Sequence, residues 1–224
     1  MAEIFDDWPE KYDLWFETPM GRLIKGYESE LILRMLTPEP GEVILDAGLG
    51  TGIFTADILE TGARVVGLEL ALTILRRALN RCGDQTFQSV IGDMRMLPFA
   101  DASFHKAISI TAIEFIQDSR IAVEELFRVT KPGGFIVVAT LNSLSPWAQR
   151  REEAAQKGHP LFRYAIFRSP DEMKGLSPVE GIVQTAIYFE KNDDPEIAPK
   201  IEQSGRERGL NTGAFLAVRW IKPG

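Results

Sequence analysis

The stretch LDAGLGTG, residues 45–52, places three glycines at alternate positions behind a single aspartate. It overlaps the run EVILDAG, residues 42–48, which has the apolar character of a buried strand. Glycines directly after a strand give the backbone unusual freedom, and they let a ligand approach exposed N–H groups closely. The stretch therefore predicts a ligand-binding turn between the first strand and its helix.

From this turn to residue 141, short apolar runs alternate with stretches of helical period, which is typical of parallel βαβ units. The predicted strands cover residues 42–48, 63–70, 86–93, 103–110, 135–141, 181–190 and 213–222. The predicted helices cover residues 23–36, 53–62, 71–83, 119–131, 145–158 and 169–176. Residues 191–212 are too many for a tight hairpin, and their sequence leaves a lid, a short helix or a disordered loop open.

Composition narrows the class of protein. With 224 residues, 45% of them hydrophobic, the chain can form one domain with a substantial core. Its net charge of −7 disfavours nucleic acid as a partner, although residues 145–170 are locally basic.

No apolar run reaches the roughly 18 residues that span a bilayer, and the acidic N-terminal stretch lacks the regions of a signal peptide. The single cysteine, Cys82, cannot form an internal disulfide, and no Cys/His cluster suggests a metal site. We therefore expect a cytoplasmic protein that binds no metal; its oligomeric state is not determined.

The spacing of the glycines separates two classes of ligand. The dinucleotide fingerprint is G-x-G-x-x-G/A, and it has no aspartate two residues before its first glycine. Here the glycines are Gly48, Gly50 and Gly52, and the third position of the fingerprint is occupied by Ile53. This register disfavours a nicotinamide-dependent Rossmann oxidoreductase, which stays as an alternative.

The run DAGLGTG, residues 46–52, resembles motif I, D-x-G-x-G-x-G, of the class I S-adenosylmethionine-dependent methyltransferases. LPFADASF at 97–104 and RVTKPGGFIVVAT at 128–140 look like the ubiquinone/menaquinone-biosynthesis type of that family, methyltransferase type 11. The resemblance covers about residues 40–142. It implies a Rossmann-like α/β fold whose seven-stranded sheet is mostly parallel, with an antiparallel last strand and helices on both faces. It also implies S-adenosylmethionine as the cofactor.

The same resemblance assigns roles to individual residues. Asp46 would anchor the ammonium group of the cofactor, and Glu69, 17 positions after Gly52, would accept the ribose hydroxyls. Asp93 matches the acid that binds adenine, with Met94 beside the ring. The complete set of expected cofactor-binding residues is Asp46, Gly48, Gly50, Gly52, Glu69, Leu70, Asp93, Met94 and Thr111.

The methyl acceptor is less well indicated. Methyl transfer is an in-line displacement on an activated sulfonium, so it needs a base only where the acceptor must lose a proton. The family usually has an aspartate at the position of His105, and many relatives have a histidine after the fourth strand, so no catalytic residue is carried over. Signatures of exocyclic-amine and cytosine-C5 methyltransferases are absent. The conceivable bases are Tyr12, Glu114 and His159, and the expected pocket residues are Tyr12, Trp15, Phe16, Phe115, Asn142 and Trp147.

We therefore expect a single methyltransferase domain over residues 1–224 that methylates a small, partly apolar molecule. This domain would consist of an N-terminal helical cap segment (1–38), a cofactor-binding core (39–142), a cap insertion (143–178) and closing strands (179–224). The aromatic residues of the two cap segments could close over the site or simply pack the N-terminal helix on the sheet. A non-catalytic cofactor-binding module is the remaining alternative; a blocked acceptor cavity would favour it.

Overall fold

The computed structural model describes residues 9–83 and 85–224, with side chains described from residue 13 onward. Within these residues, seven strands form one sheet: β1 Val43–Ala47, β2 Arg64–Glu69, β3 Phe87–Ile91, β4 Lys106–Ile110, β5 Phe135–Leu141, β6 Ile182–Ala186 and β7 Phe215–Ile221. Their order is β3-β2-β1-β4-β5-β7-β6. Strand β7 is antiparallel to both of its neighbours, and the other pairs are parallel. The predicted fold class is therefore confirmed.

Helices cover both faces of the sheet. They are α1 Pro9–Glu17, α2 Pro19–Leu36, α3 Ile53–Leu59, α4 Leu72–Cys82, α5 Ser119–Val129, α6 Pro146–Gln156, α7 Pro170–Lys174 and α8 Ala198–Glu207. Short 3₁₀ helices lie at Ile113–Phe115 and Phe162–Tyr164. None of the described helices combines the length and the apolar character needed to cross a membrane.

Alternation along the strands divides the core into two layers. In β1, Ile44 belongs to the cluster that packs against α2, α3 and α4, whereas Leu45 belongs to the cluster that packs against α5. Such alternation follows from the two-residue period of a strand, and burial on both faces accounts for the nearly continuous apolar runs of the sequence. The strand order reverses between β1 and β4, and at such a switch point a crevice opens beyond the carboxyl ends of the strands.

Several element boundaries differ from the sequence prediction, and two of them adjoin residues with positive φ. The helix expected to reach residue 62 ends at Leu59, and Gly62 follows in a left-handed turn with φ of 84°. The strand expected to reach residue 190 stops at Ala186, because Ile187 adopts a φ of 69°. The buried Glu202 carboxylate accepts hydrogen bonds of 2.9 Å from the amides of Ile187 and Tyr188 and thereby holds this bend. Glu202 lies on α8, so residues 191–212 contain a helix.

Candidate active site

A cavity of about 630 Å³ opens at the switch point of the sheet, beside the glycine turn. Its wall combines residues from the ends of β1 and β4 with residues from α1, α2, α6 and the 3₁₀ helix that follows α6. Of the residues expected from the sequence, the wall includes Trp15, Phe16, Asp46, Gly48, Gly50, Thr111, Glu114, Phe115, Trp147 and His159. The cavity is much more apolar than polar, and it is large enough for a small ligand.

Two glycines of the turn serve different purposes. A Cβ atom at Gly50 would meet nothing within 4 Å, so the backbone there faces open space in the cavity. A Cβ atom at Gly52 would lie 2.9 Å from Cys82 Sγ and 3.2 Å from Ala78 Cβ. Gly52 does not line the cavity; its missing side chain lets α4 pack closely against the turn. Both residues have positive φ, 60° and 75°, which also favours glycine.

Asp46 supplies a polar atom to which the described part of the chain offers no hydrogen bond. The residue is 1% exposed, and its Oδ2 atom accepts a 2.6 Å hydrogen bond from Thr55 Oγ1. Its Oδ1 atom is buried without a hydrogen-bond partner among the described residues. Burial raises the pKa of Asp46 to about 7. The hydrogen bond from Thr55 lowers this pKa, and the charge of Glu69 adds to the effect of burial. A buried carboxylate with an unused oxygen fits a ligand that brings an ammonium group, which is the role that the family resemblance implied for Asp46.

Glu69 braces the glycine turn from the end of β2. Its Oε2 atom accepts a 3.1 Å hydrogen bond from the Gly50 amide. Its Oε1 atom accepts bonds of 2.9 and 3.0 Å from the amides of Leu70 and Ala71. Burial raises the pKa of Glu69, while these three amides act in the opposite direction. The exposed side chain of Leu70 lies outside the cavity wall, so its amide is the part of the residue that supports the site.

The Glu69→Ala variant is expected to bind S-adenosylhomocysteine more weakly by about 1–3 kcal/mol, the usual value of charge-assisted hydrogen bonds. It should also melt at a lower temperature, because the Gly50 amide loses its acceptor. Titration calorimetry and thermal melting measure the two effects. Glu60→Ala, at an exposed position, is the control and should leave both unchanged. An unaltered dissociation constant in Glu69→Ala would leave Glu69 with a structural role only.

Like Glu69, three other expected site residues lie outside the cavity wall. Asp93 is engaged by the Arg95 side chain at 2.6–3.1 Å, which holds the pKa of Asp93 below its usual range. Met94 is buried in the core layer that contains α5. Asn142 donates to the carbonyl oxygens of Asn211 and Gly213 at 2.7 and 2.9 Å. Asn142 is therefore used to join the end of β5 to the segment before β7 and not to line a substrate pocket.

The N-terminal helix α1 touches the glycine turn directly. The Asp13 carboxylate accepts a 2.8 Å hydrogen bond from Thr51 Oγ1 and forms a 3.0 Å ion pair with Arg81. Nearby, Lys191 Nζ lies 5.0 Å from the centre of the Trp15 ring. The side chain of Tyr12, an expected base and pocket residue, lies outside the described residues.

Two carboxyl groups lie at the buried end of the cavity. Glu114, in the 3₁₀ helix after β4, is 1% exposed and accepts a 3.2 Å hydrogen bond from Thr140 Oγ1. Glu28, in α2, is 7% exposed, and no side chain of the described residues donates a hydrogen bond to it. Burial raises the pKa of Glu114 to about 7 and that of Glu28 to about 8. Sequence reasoning missed Glu28, although it lies four residues from both Ile24 and Ile32 on the buried face of α2.

The remaining expected base also lines the cavity. His159 stacks on Phe162 with ring centres 4.4 Å apart, and burial lowers the pKa of the imidazole. Its Nδ1 atom accepts long hydrogen bonds of 3.3 Å from the amides of Leu161 and Phe162. His105, by contrast, lies outside the wall and accepts a 2.9 Å hydrogen bond from the Val43 amide, as befits a residue at the start of a strand.

Comparisons of the sequence with known proteins identify its family. The family model described as "Methyltransferase domain" matches residues 45–138. A malonyl-[acyl-carrier protein] O-methyltransferase of Serratia marcescens is 31% identical over 211 residues, which cover 84% of this chain and 76% of that protein. A demethylmenaquinone methyltransferase of Beutenbergia cavernae is 34% identical over 151 residues, which cover 66% of this chain and 60% of that protein.

Solved structures share the fold. A Thermotoga maritima S-adenosylmethionine-dependent methyltransferase, described as a possible histamine N-methyltransferase, aligns with a TM-score of 0.77 at 23% identity and covers 99% of this chain and 100% of its own. Phosphoethanolamine N-methyltransferase 2 of Haemonchus contortus, in complex with S-adenosylmethionine, aligns with a TM-score of 0.65 at 18% identity over 88% of this chain and 52% of its own. The chain therefore belongs to the S-adenosylmethionine-dependent methyltransferases, and it is an enzyme that uses S-adenosylmethionine as its methyl donor.

Proposed function

We propose that the enzyme methylates a small, partly apolar molecule that binds in the cavity beside the glycine turn. The observation that carries this proposal is the continuity of the cavity wall. The wall runs from Asp46 and Gly50 to apolar side chains of three other elements, among them Ile24, Phe54 and Leu161. The named relatives act on different acceptors, malonyl-[acyl-carrier protein] and demethylmenaquinone, so family membership leaves the acceptor open.

The side chains around the glycine turn suit the cofactor. Asp46 would hold the ammonium group through its unused Oδ1 atom, and Glu69 would accept the ribose hydroxyls while it holds the glycine turn. Asp93 and Met94 would lie near the adenine. The bound cofactor supplies a methyl group activated on a sulfonium. The residues of the cavity then orient the acceptor, and positioning alone can lower a barrier by roughly 7–11 kcal/mol.

Residues 1–38 and 143–178 would cover the site, as part of one domain over residues 1–224. Two contacts support this proposal: Asp13 of α1 bonds Thr51 of the glycine turn, and Trp147 Nε1 of α6 donates a 2.7 Å hydrogen bond to the Phe189 carbonyl. A cover of this kind excludes water from a reactive sulfonium. The open cavity beneath it disfavours a non-catalytic binding module, and a small-molecule acceptor suits its size better than nucleic acid does.

A cavity-filling substitution on α6 tests the proposal. Ala154 lines the cavity, so Ala154→Trp is expected to reduce methyl transfer at least about tenfold, because its ring occupies the space of the acceptor. The affinity for S-adenosylhomocysteine should stay within about twofold of the parent value. Transfer of labelled methyl groups to a panel of small aromatic amphiphiles measures the first effect, and calorimetry measures the second.

The matched control is the same substitution one residue further along α6. Ala155 is half-buried and does not line the cavity, so Ala155→Trp should leave both transfer and binding near the parent values. Full transfer activity in Ala154→Trp would show that the acceptor binds elsewhere and would contradict the proposed function.

A further inference from the structure

The buried end of the cavity contains more charge than the proposed function uses. Glu28 comes from α2 and Glu114 from the segment after β4, and both line the cavity while they are almost fully removed from bulk solvent. Within the described part of the chain, the Glu28 carboxyl has no hydrogen-bond donor. A buried carboxylate is costly unless it is paired and hydrogen-bonded, so this pair of carboxyls needs an explanation.

One cation of the cavity wall faces both carboxyls. Arg151 of α6 stacks over the rings of Trp147 and Phe167, with 5.6 and 6.0 Å between its guanidinium carbon and the ring centres. Its charge lowers the pKa of both Glu28 and Glu114. Its Nη1 atom is buried and has no hydrogen-bond partner among the described residues.

The other charged groups nearby are already engaged. Arg168 acts on Glu114 from outside the cavity, and its guanidinium donates to Ser119 Oγ and, at 3.3 Å, to the Ile113 carbonyl. The remaining ionisable groups of the wall also have contacts: Asp46 with Thr55, Arg150 with Glu190 at 2.8 Å, Lys191 with the Trp15 ring and His159 with Phe162. The two carboxyls therefore share Arg151 as the one cation that faces them from the cavity wall among the described residues.

We infer that Glu28 and Glu114 bind a basic nitrogen of the acceptor, so that the substrate class is a small amine with an apolar body. This inference rests on the proposed function and specifies its acceptor. When both carboxyls are ionised, one guanidinium leaves one of their two negative charges unpaired, and an ammonium group supplies both the missing charge and up to three N–H donors. The aromatic and aliphatic remainder of the wall, such as Phe162 and Leu161, suits the apolar body.

The same carboxyls can also prepare the nitrogen for methylation. The bound ammonium group passes one proton to a carboxylate of the pair and becomes a neutral amine with a free lone pair. That lone pair forms the new N–C bond, while the electron pair of the breaking C–S bond stays on sulfur. The products are a methylated ammonium ion, a neutral thioether and a protonated carboxyl. Burial holds the pKa of Glu28 at about 8 and that of Glu114 at about 7, close to the range in which such a proton transfer is effective.

The test compares three probes of similar shape on the protein saturated with S-adenosylhomocysteine. They are 2-phenylethylamine, 2-phenylethanol and 3-phenylpropionate, and titration calorimetry near pH 7 in two buffers of different ionisation enthalpy measures binding and proton release. The amine is expected to bind at least about tenfold more tightly than the other two probes. Its binding should release about one proton, because the charged nitrogen makes a protonated carboxyl ionise.

The variant Glu28→Gln, which keeps the size of the side chain, should weaken amine binding about tenfold and remove most of the proton release. Its affinity for S-adenosylhomocysteine should not change. Glu114→Gln should also weaken amine binding, whereas Glu60→Gln, on the exposed surface, should have no effect. The inference would be overturned if the alcohol or the acid bound as tightly as the amine, or if none of the three probes bound. Neither result would contradict the binding of the cofactor. If Ala154→Trp left methyl transfer unchanged, that result would instead contradict the proposed function.

Discussion

The Asp46→Asn variant is expected to bind S-adenosylhomocysteine about 10- to 100-fold more weakly, while the ligand-free protein melts at an unchanged or higher temperature. Asparagine keeps the size of the side chain and an oxygen that can accept the hydrogen bond from Thr55. It removes the carboxylate whose Oδ1 atom is buried without a partner. The ligand therefore loses a charge-assisted hydrogen bond, whereas the folded protein loses a buried charge that it does not compensate.

Titration calorimetry and thermal melting with and without the ligand separate these two effects. In the parent protein, S-adenosylhomocysteine at 100 times its dissociation constant should stabilise the fold by about 2.7 kcal/mol, whereas NAD and NADP should not raise the melting temperature. Asp118→Asn, at an exposed position, is the control. A strong loss of stability in Asp46→Asn, or an unchanged dissociation constant, would contradict the assignment of Asp46 to the ammonium group.

The second large effect is a fall in the stability of the ligand-free protein as the pH rises. Burial raises the pKa of Asp46 from 3.8 to about 7, that of Glu114 from 4.5 to about 7 and that of Glu28 from 4.5 to about 8. Between the unfolded and the folded values, the folded protein still holds protons that the unfolded chain has released. Folding then takes up protons, so the free energy of unfolding decreases as the pH rises through this window.

Each unit of pKa shift corresponds to about 1.4 kcal/mol, so a window of about two units in even one of these groups should lower the free energy of unfolding by about 3 kcal/mol between pH 5 and pH 8. His159 opposes this trend, because its lowered pKa adds stability as the pH rises through the range in which the unfolded histidine titrates. Carboxyls with lowered pKa, such as Asp93, change stability only at more acidic pH.

Urea denaturation at a series of pH values measures this dependence. Glu28→Gln should flatten the upper part of the curve, since it removes the group with the highest of the three pKa values. Saturating S-adenosylhomocysteine should flatten it further, because an ammonium group beside Asp46 favours the carboxylate. A free energy of unfolding that increases from pH 5 to pH 8 would show that these carboxyls do not hold their protons in the folded protein.

Much of the fold and part of the site follow from local patterns in the sequence. Short apolar runs predicted the seven strands, because both faces of the sheet are buried, and the helical period of the apolar positions predicted most helices. The glycine turn was equally visible, since Gly50 and its neighbours need backbone conformations that few other residues adopt. For Asp46, the resemblance of this turn to motif I of the methyltransferases predicted a place at the ligand site, and Asp46 lines the cavity.

Other parts of the site depended on the tertiary structure. Glu28, Glu114 and Arg151 are far apart in the chain, and no local period connects them; only the packing of α2 and α6 around the end of the sheet brings them to one cavity. The same holds for Asp13 and Thr51, which meet because α1 lies over the glycine turn. A polar residue on a buried helix face is visible in a sequence, but its partner is not. The packing of the elements determines which groups share a buried space. In this enzyme it brings the carboxyls of Glu28 and Glu114 together in one cavity.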